Sequence, residues 1–122
     1  MTKAELIKVT EARISRGGRG FDKPCTEEVK LQNKVIYALR EVYKDDIWFA
    51  KISDRYNSGI PDIVGCIHGR FFAFELKDNI GKPSTVQRVV IQRIKDAGGN
   101  VWVVRTVKEA LIHMITILKT LE

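Results

Sequence analysis

The chain has 122 residues, 44% of them hydrophobic and 30% charged, which is the balance of one ordinary globular domain and excludes a disordered tail. A net charge of +6 and a pI near 9.5 favour a polyanionic partner, because clustered Lys and Arg gain by releasing condensed counterions. No run approaches the ~18 apolar residues of a membrane span and the first residues show no signal-peptide pattern, so an intracellular protein (cytoplasm or nucleoid) that makes no membrane contact is expected.

Residues 2–15 read as a short helix with Leu6, Ile7 and Ile14 loosely on one side. Arg16-Gly17-Gly18-Arg19-Gly20 follows, a glycine run expected to be a flexible joint, with a basic arm touching phosphates as the alternative. Residues 1–24 are thus set apart as an N-terminal helix and arm, and 25–122 form a single domain. From about Thr26 to Tyr43, Leu31, Val35, Leu39 and Val42 recur at helical spacing and mark one buried stripe. Glu28 falls at the edge of that stripe, where it also suits the positive end of the helix dipole, as Glu27 would. Ile47 to Ile52 is a first strand whose aromatic and β-branched content is that of sheet core, and Ser53 to Gly59 is a polar loop.

Pro61 to Lys77, PDIVGCIHGRFFAFELK, reads as two apolar strands joined at His68-Gly69. The pleat sends Phe72, Phe74 and Leu76 to one face and Phe71, Ala73, Glu75 and Lys77 to the other, so a carboxylate and an ammonium share a face about 7 Å apart. A two-residue turn at His68-Gly69 sets Ile67 opposite Arg70 and hence Asp62 opposite Glu75; a four-residue loop on the same centre keeps that pairing and a three-residue loop breaks it. Opposed residues of an antiparallel pair have β-carbons roughly 4.5–5.5 Å apart. Two carboxylates that close repel unless a proton or cation lies between them, and a hard divalent cation held through oxygen is the economical solution. Cys66 within this apolar strand is expected to be a small core residue. With Cys25 it shows neither zinc-ligand nor disulfide-framework spacing, as befits a reducing setting.

Gly81-Lys82-Pro83-Ser84 lacks the glycine five positions upstream that a nucleotide-binding loop requires, since position 76 is leucine, so no nucleotide cofactor is expected. Lys82 remains free to meet a phosphate as a point charge. Ser84-Thr85-Val86-Gln87 is a capping box opening a helix with Val86, Val90, Ile94 and Ala97 on one stripe and Arg88 off it, ended by Gly98-Gly99. Val101 to Val104 is a largely buried strand. Thr106 to Glu109 is a second capping box, before a helix apolar enough that it must be buried nearly all round or cover a partner subunit. His68 and His113 stand apart from each other and from the cysteines, one in a turn and one on a helix surface, which argues against zinc. The order helix, three strands, helix, strand, helix implies an α/β fold: an antiparallel meander plus one crossover strand in a mixed sheet.

Pro61-Asp62 followed by Glu75-Leu76-Lys77 resembles the PD-(D/E)xK nuclease signature. The fuller string Gly59-Ile60-Pro61-Asp62, Phe74-Glu75-Leu76-Lys77, Gly81-Lys82-Pro83-Ser84, Gln87 and Gly98 is similar to the VRR-NUC (virus-type replication-repair nuclease) branch, from about Glu28 to Val104. The resemblance implies a restriction-endonuclease-like αβββαβ core, here with an added C-terminal helix. It implies that Asp62, Glu75 and the main-chain carbonyl of Leu76 hold Mg²⁺, for which Mn²⁺ can substitute, and that Lys77 orients water or steadies developing charge. Glu28, in the pattern Glu28-x-x-Leu31-Gln32, becomes a supporting acid, and Gln87 a residue that orders the site, in competition with its capping role. The loop before Pro61 leads toward the metal in such nucleases, which makes Lys51 and Arg55 expected phosphate contacts alongside Lys82 and Arg88.

The activity so implied is a structure-selective DNA endonuclease acting on branched DNA, a four-way (Holliday) junction above all, as a homodimer. The alternatives are a flap-type nuclease working as a monomer and a nucleic-acid-binding module that does not turn over. A solvated ionic patch on a hairpin would explain Glu75 and Lys77 alone, but not the carboxylate of Asp62 set opposite.

Overall fold

The pleat of one central strand divides the molecule. In the computed structural model, which describes residues 1–52 and 59–120, four helices and four strands follow in the order α1 (Lys3–Arg16), α2 (Glu28–Tyr43), β1 (Ile47–Lys51), β2 (Ile63–Ile67), β3 (Arg70–Leu76), α3 (Thr85–Asp96), β4 (Asn100–Val104) and α4 (Val107–Lys119). The sheet order is β1-β2-β3-β4, antiparallel through β3, with β4 added parallel to β3 after the α3 crossover. This mixed α/β architecture is the restriction-endonuclease-like one expected. The turn between β2 and β3 lies at His68-Gly69, both with positive φ (47° and 78°), and Ile67 pairs with Arg70. Two left-handed residues suit the twist of a two-residue hairpin.

One face of the sheet carries the core. Ile63, Ile67, Phe72, Phe74 and Leu76 are at most 1% exposed and pack under α2 and α4, each contributing about 1.5–3 kcal/mol by leaving water. α4 turns Ala110, Leu111, Met114, Ile117 and Leu118 into this core, so most of its apolar character is satisfied within the chain, with Ile112 left exposed. α1 lies against α4 and α2, with Leu6 fully buried. Its Thr10 hydroxyl donates to the Leu6 carbonyl at 2.7 Å and shares a 2.8 Å hydrogen bond with the buried Tyr43 hydroxyl. The glycine run after α1 is not the expected loose joint. Phe21 is buried beneath it, and its carbonyl accepts from the Lys108 amide at the start of α4.

The opposite face is covered only in part. α3 buries none of its residues fully; it is held where Val86 and Val90 meet Gly59 and Ile94 meets Gly99. Gly59 has φ +89° and a β-carbon there would stand 2.7 Å from Val86, so only glycine lets the chain reach Pro61-Asp62 this close to the helix. Beyond the cover of α3, Trp48, Cys66 and Phe71 sit side by side across three strands, with Trp48 63% and Phe71 42% exposed. Cys66 is therefore an exposed thiol and not a core residue, and Trp48 is not sheet core. Two further local readings are corrected. Thr106 caps α4 as expected, but the Glu109 carboxylate accepts from the Arg105 amide and not from the cap residue's own. His113 is not on the surface: it is half buried and stacks on Trp102 with ring centroids 4.3 Å apart, and burial holds its imidazole below the usual histidine value.

Candidate active site

The site forms where β2 and β3 begin to part. Ile63 pairs with Phe74, and continuation of that register brings Asp62 opposite Glu75 as the sequence predicts. The Asp62 main-chain carbonyl accepts from the Ile52 amide at 2.8 Å, while its carboxylate accepts the Leu76 amide at 2.7 Å. The side chain thus replaces a ladder partner, which aims the acid across the strand gap.

Glu75 is 1% exposed. Its Oε1 accepts from Gln87 Nε2 at 2.9 Å and faces Lys77 Nζ at 3.5 Å, whereas its Oε2 is buried with no hydrogen-bond partner among the described residues. Burial, and after it the charge of Asp62 close by, push its pKa up to about 8, against the pull of Lys77. A carboxylate this deep is costly while ionised and unpaired. Lys77 is held at the base, its amide donating to the Val104 carbonyl at 3.1 Å and its side chain 12% exposed.

Gln87 settles its two competing readings by doing both. Its Oε1 accepts from the Ser84 amide at 2.8 Å, completing the capping box of α3, while its Nε2 reaches Glu75. Glu28, in the first turn of α2, joins the same electrostatic field: burial and then Asp62 raise its pKa, Lys77 opposes them, and Gln32 hydrogen-bonds its side chain. Asp62, Glu75, Lys77, Glu28 and Gln87 are therefore gathered at one place.

Leu76 has its side chain fully buried in the core, so only its main chain belongs to the site. Lys51, Lys82 and Arg88 are exposed, and none is hydrogen-bonded or ion-paired to a carboxylate among the described residues; the Arg88 guanidinium donates to Thr85 Oγ1 at 3.3 Å. Arg55 lies outside the described residues. Two residues were missed by the sequence reading. Asp78 contributes to the charge felt by Glu28, and its Oδ1 accepts the Ile80 and Gly81 amides at 3.1 and 2.6 Å. Arg105 donates to the Asp78 carbonyl at 2.7 Å and pins the chain just after Lys77. The Asp-x-x-Gly spacing of residues 78–81 is a turn signal that could have singled out Asp78; nothing local marks Arg105.

Among the described residues no three His, Cys, Asp or Glu side chains form a ready cage for a metal. The donors are two carboxylates, one with an orphaned buried oxygen, and main-chain oxygen. That set fits a hard cation such as Mg²⁺, which keeps several of its own waters and takes one or two protein carboxylates.

No family model matches the chain, and no curated protein does. A solved structure described as a VRR_NUC domain is similar over 75% of this chain and 97% of its own length, with 26% sequence identity and a TM-score of 0.58. This likeness supports a VRR-NUC domain here, and with it a nuclease of the PD-(D/E)xK type.

Proposed function

We propose that this VRR-NUC domain is a metal-dependent endonuclease that cuts branched DNA, with a four-way junction as its preferred substrate. The observation that carries the reading is the pairing of Asp62 with Glu75, whose second carboxylate oxygen is buried without a partner beside Lys77. A nucleic-acid-binding module would have no use for buried anionic groups aimed at a polyanion.

Asp62 and Glu75, with the Leu76 carbonyl, are the groups that would hold Mg²⁺ or Mn²⁺. Such an ion, when bound, neutralises charge on a phosphate oxygen and makes a coordinated water more acidic. The chain's own residues do the rest. Gln87 fixes Glu75 by one oxygen, and the other, buried oxygen is left for the ion. The Lys77 ammonium orients the attacking water and offsets charge as it develops on the phosphate. Glu28 holds a further water by hydrogen bonding, and Lys51, Arg55, Lys82 and Arg88 supply backbone contacts.

We infer a homodimer, in which each subunit cuts one strand of a symmetric junction. α4 gives it little support, because most of its apolar residues face the chain's own core and only Ile112 among them is exposed. The exposed row Trp48, Cys66 and Phe71 is the better interface. An intracellular location follows from a DNA substrate.

The test is incubation of purified protein with labelled junction, flap and linear duplex in Mg²⁺, Mn²⁺ or EDTA. Paired symmetric nicks in the junction, absent in EDTA, are expected; preferential flap cutting by a monomer would replace the junction reading, and binding without cutting in every metal would leave only a binding module. Asp62→Asn and Lys77→Ala should each lower cleavage by ~10²-fold or more while binding persists. Full activity in either would remove the site assignment.

A further inference from the structure

We propose that the turn between α1 and α2, with the outward face of α2, forms a second DNA contact that grips backbone phosphates of a duplex arm away from the bond being cut. The inference rests on the nuclease reading and extends it to how a branched substrate is recognised.

Gly17, Gly18 and Gly20 all have positive φ (63°, 121° and 72°), and the turn they form brings Arg19 to the same concavity as Lys34. Together with Asn33 and Tyr37 these two cations line a concavity of about 360 Å³. Lys34 lies directly over the turn: a β-carbon at Gly20 would stand 3.2 Å from its Nζ.

Several neighbouring cations, among them Arg13 in the same concavity, already have partners. Arg13 and Arg16 pair with Glu41 at 3.3 and 2.9 Å, Lys30 faces Glu27 at 3.7 Å, and Arg40 lies over the Phe49 ring. Arg19 and Lys34, both exposed, have no hydrogen bond or ion pair among the described residues. Two like charges that line one concavity and have no ion-pair partner among the described residues favour an anion there. Asn33 and the 67% exposed Tyr37 add neutral donors of the kind that meet phosphate oxygens.

The placement selects an arm of the DNA over the scissile strand. Lys34 and Tyr37 are six and nine residues along α2 from Glu28, hence about 9–14 Å along its axis, with Lys34 roughly a third of a turn and Tyr37 about half a turn round it. That distance covers about three to four base-pair steps at 3.4 Å each. A duplex arm that leaves the active site and follows the outer side of α2 would meet the patch with its backbone.

The experiment uses the full chain and the double variant Arg19→Gln/Lys34→Gln, with four-way junctions whose arms are long or trimmed close to the crossover. The variant should bind the long-armed junction about tenfold more weakly. Its slope of log affinity against log salt should be smaller by about 1.8, the loss of two phosphate contacts. Cleavage at saturating DNA and melting temperature should be unchanged, as should affinity for the trimmed junction. Wild-type-like affinity and slope in a protein that binds and cuts would overturn this inference alone. A wild-type chain that neither binds nor cuts DNA would overturn the nuclease reading and this one together. Titration with inorganic phosphate separates the sources: saturation of the patch by free phosphate, with junction affinity unaffected, would make it a small-anion site and overturn the DNA contact.

Discussion

The two faces of the sheet are made by alternate residues of the same strands, and they are built to opposite rules. On the face toward α2 and α4, Phe72, Phe74 and Leu76 are fully buried in a mainly apolar core. On the face toward α3, Glu75 is as deeply buried as its neighbours yet has an unpaired oxygen, a like charge opposite and a pKa raised to about 8. Farther along the same face Phe71 and Trp48 are left open. The pleat therefore separates stability from chemistry at a resolution of one residue. The protein can keep a strained carboxylate on one side because the other side over-determines the strand's position.

The largest effect should come from the first face. Phe74 touches Phe72, Trp102 and His113, with ring centroids 5.2, 6.3 and 6.5 Å away. Phe74→Ala removes that packing and should cost about 3–5 kcal/mol in urea unfolding, while cleavage by the fraction still folded stays near wild type. A loss below about 1 kcal/mol would mean that the core does not hold β3 in the way described.

A smaller effect of opposite sign is expected one residue along. Folding holds the Glu75 proton up to about 8, whereas the unfolded chain gives it up near 4.5. Between those values the folded state binds more protons, so metal-free stability is full at the acid end and is lost as pH rises. Glu28, also raised by burial and Asp62, contributes in the same direction, and Lys77 opposes both. Glu75→Gln should therefore stabilise the metal-free protein at pH 8, by roughly 2 kcal/mol once water access has relaxed the penalty. Mg²⁺ should raise the wild-type melting temperature at that pH and leave the variant's unchanged. Equal pH slopes in the two proteins would show that Glu75 carries no such burden.

The comparison also explains what could be read from the sequence. The hairpin register, and with it the meeting of Asp62 and Glu75, depends on a local turn and on period-two patterning, both visible in residues 61–77. The order of elements, and the crossover to β4, follow from periodicities within single segments. Cys66 and Trp48 could not be placed, because an apolar residue on an uncovered sheet face has the same pattern as one in a core. The difference lies in how far α3 extends across the sheet, which is a tertiary fact. The stack of His113 on Trp102, the anchoring of Phe21 against α4 and the reach of Arg105 to the Asp78 carbonyl are likewise long-range. Glu109 had two amides within reach, and spacing does not say which it takes.

Gln87 is where the two rules share one side chain, and it permits the finest test. Its carbonyl oxygen serves stability by capping α3, and its amide nitrogen serves the site by holding Glu75. Gln87→Glu separates them, because glutamate is as good an acceptor in a capping box but offers no donor. Helix α3 should stay capped and the melting temperature should hold in Mg²⁺. Cleavage should fall about tenfold, since one hydrogen bond to a charged group is worth roughly 1.5 kcal/mol and a second negative charge now faces Glu75. Gln87→Ala, which removes both interactions, should lose the same activity and in addition about 1 kcal/mol of stability. If Gln87→Glu cleaves at the wild-type rate while Gln87→Ala is destabilised, the glutamine is a cap alone. Glu75 would then be held by Lys77 and Asp62, and the division between the faces would run between β3 and α3 instead of through Gln87.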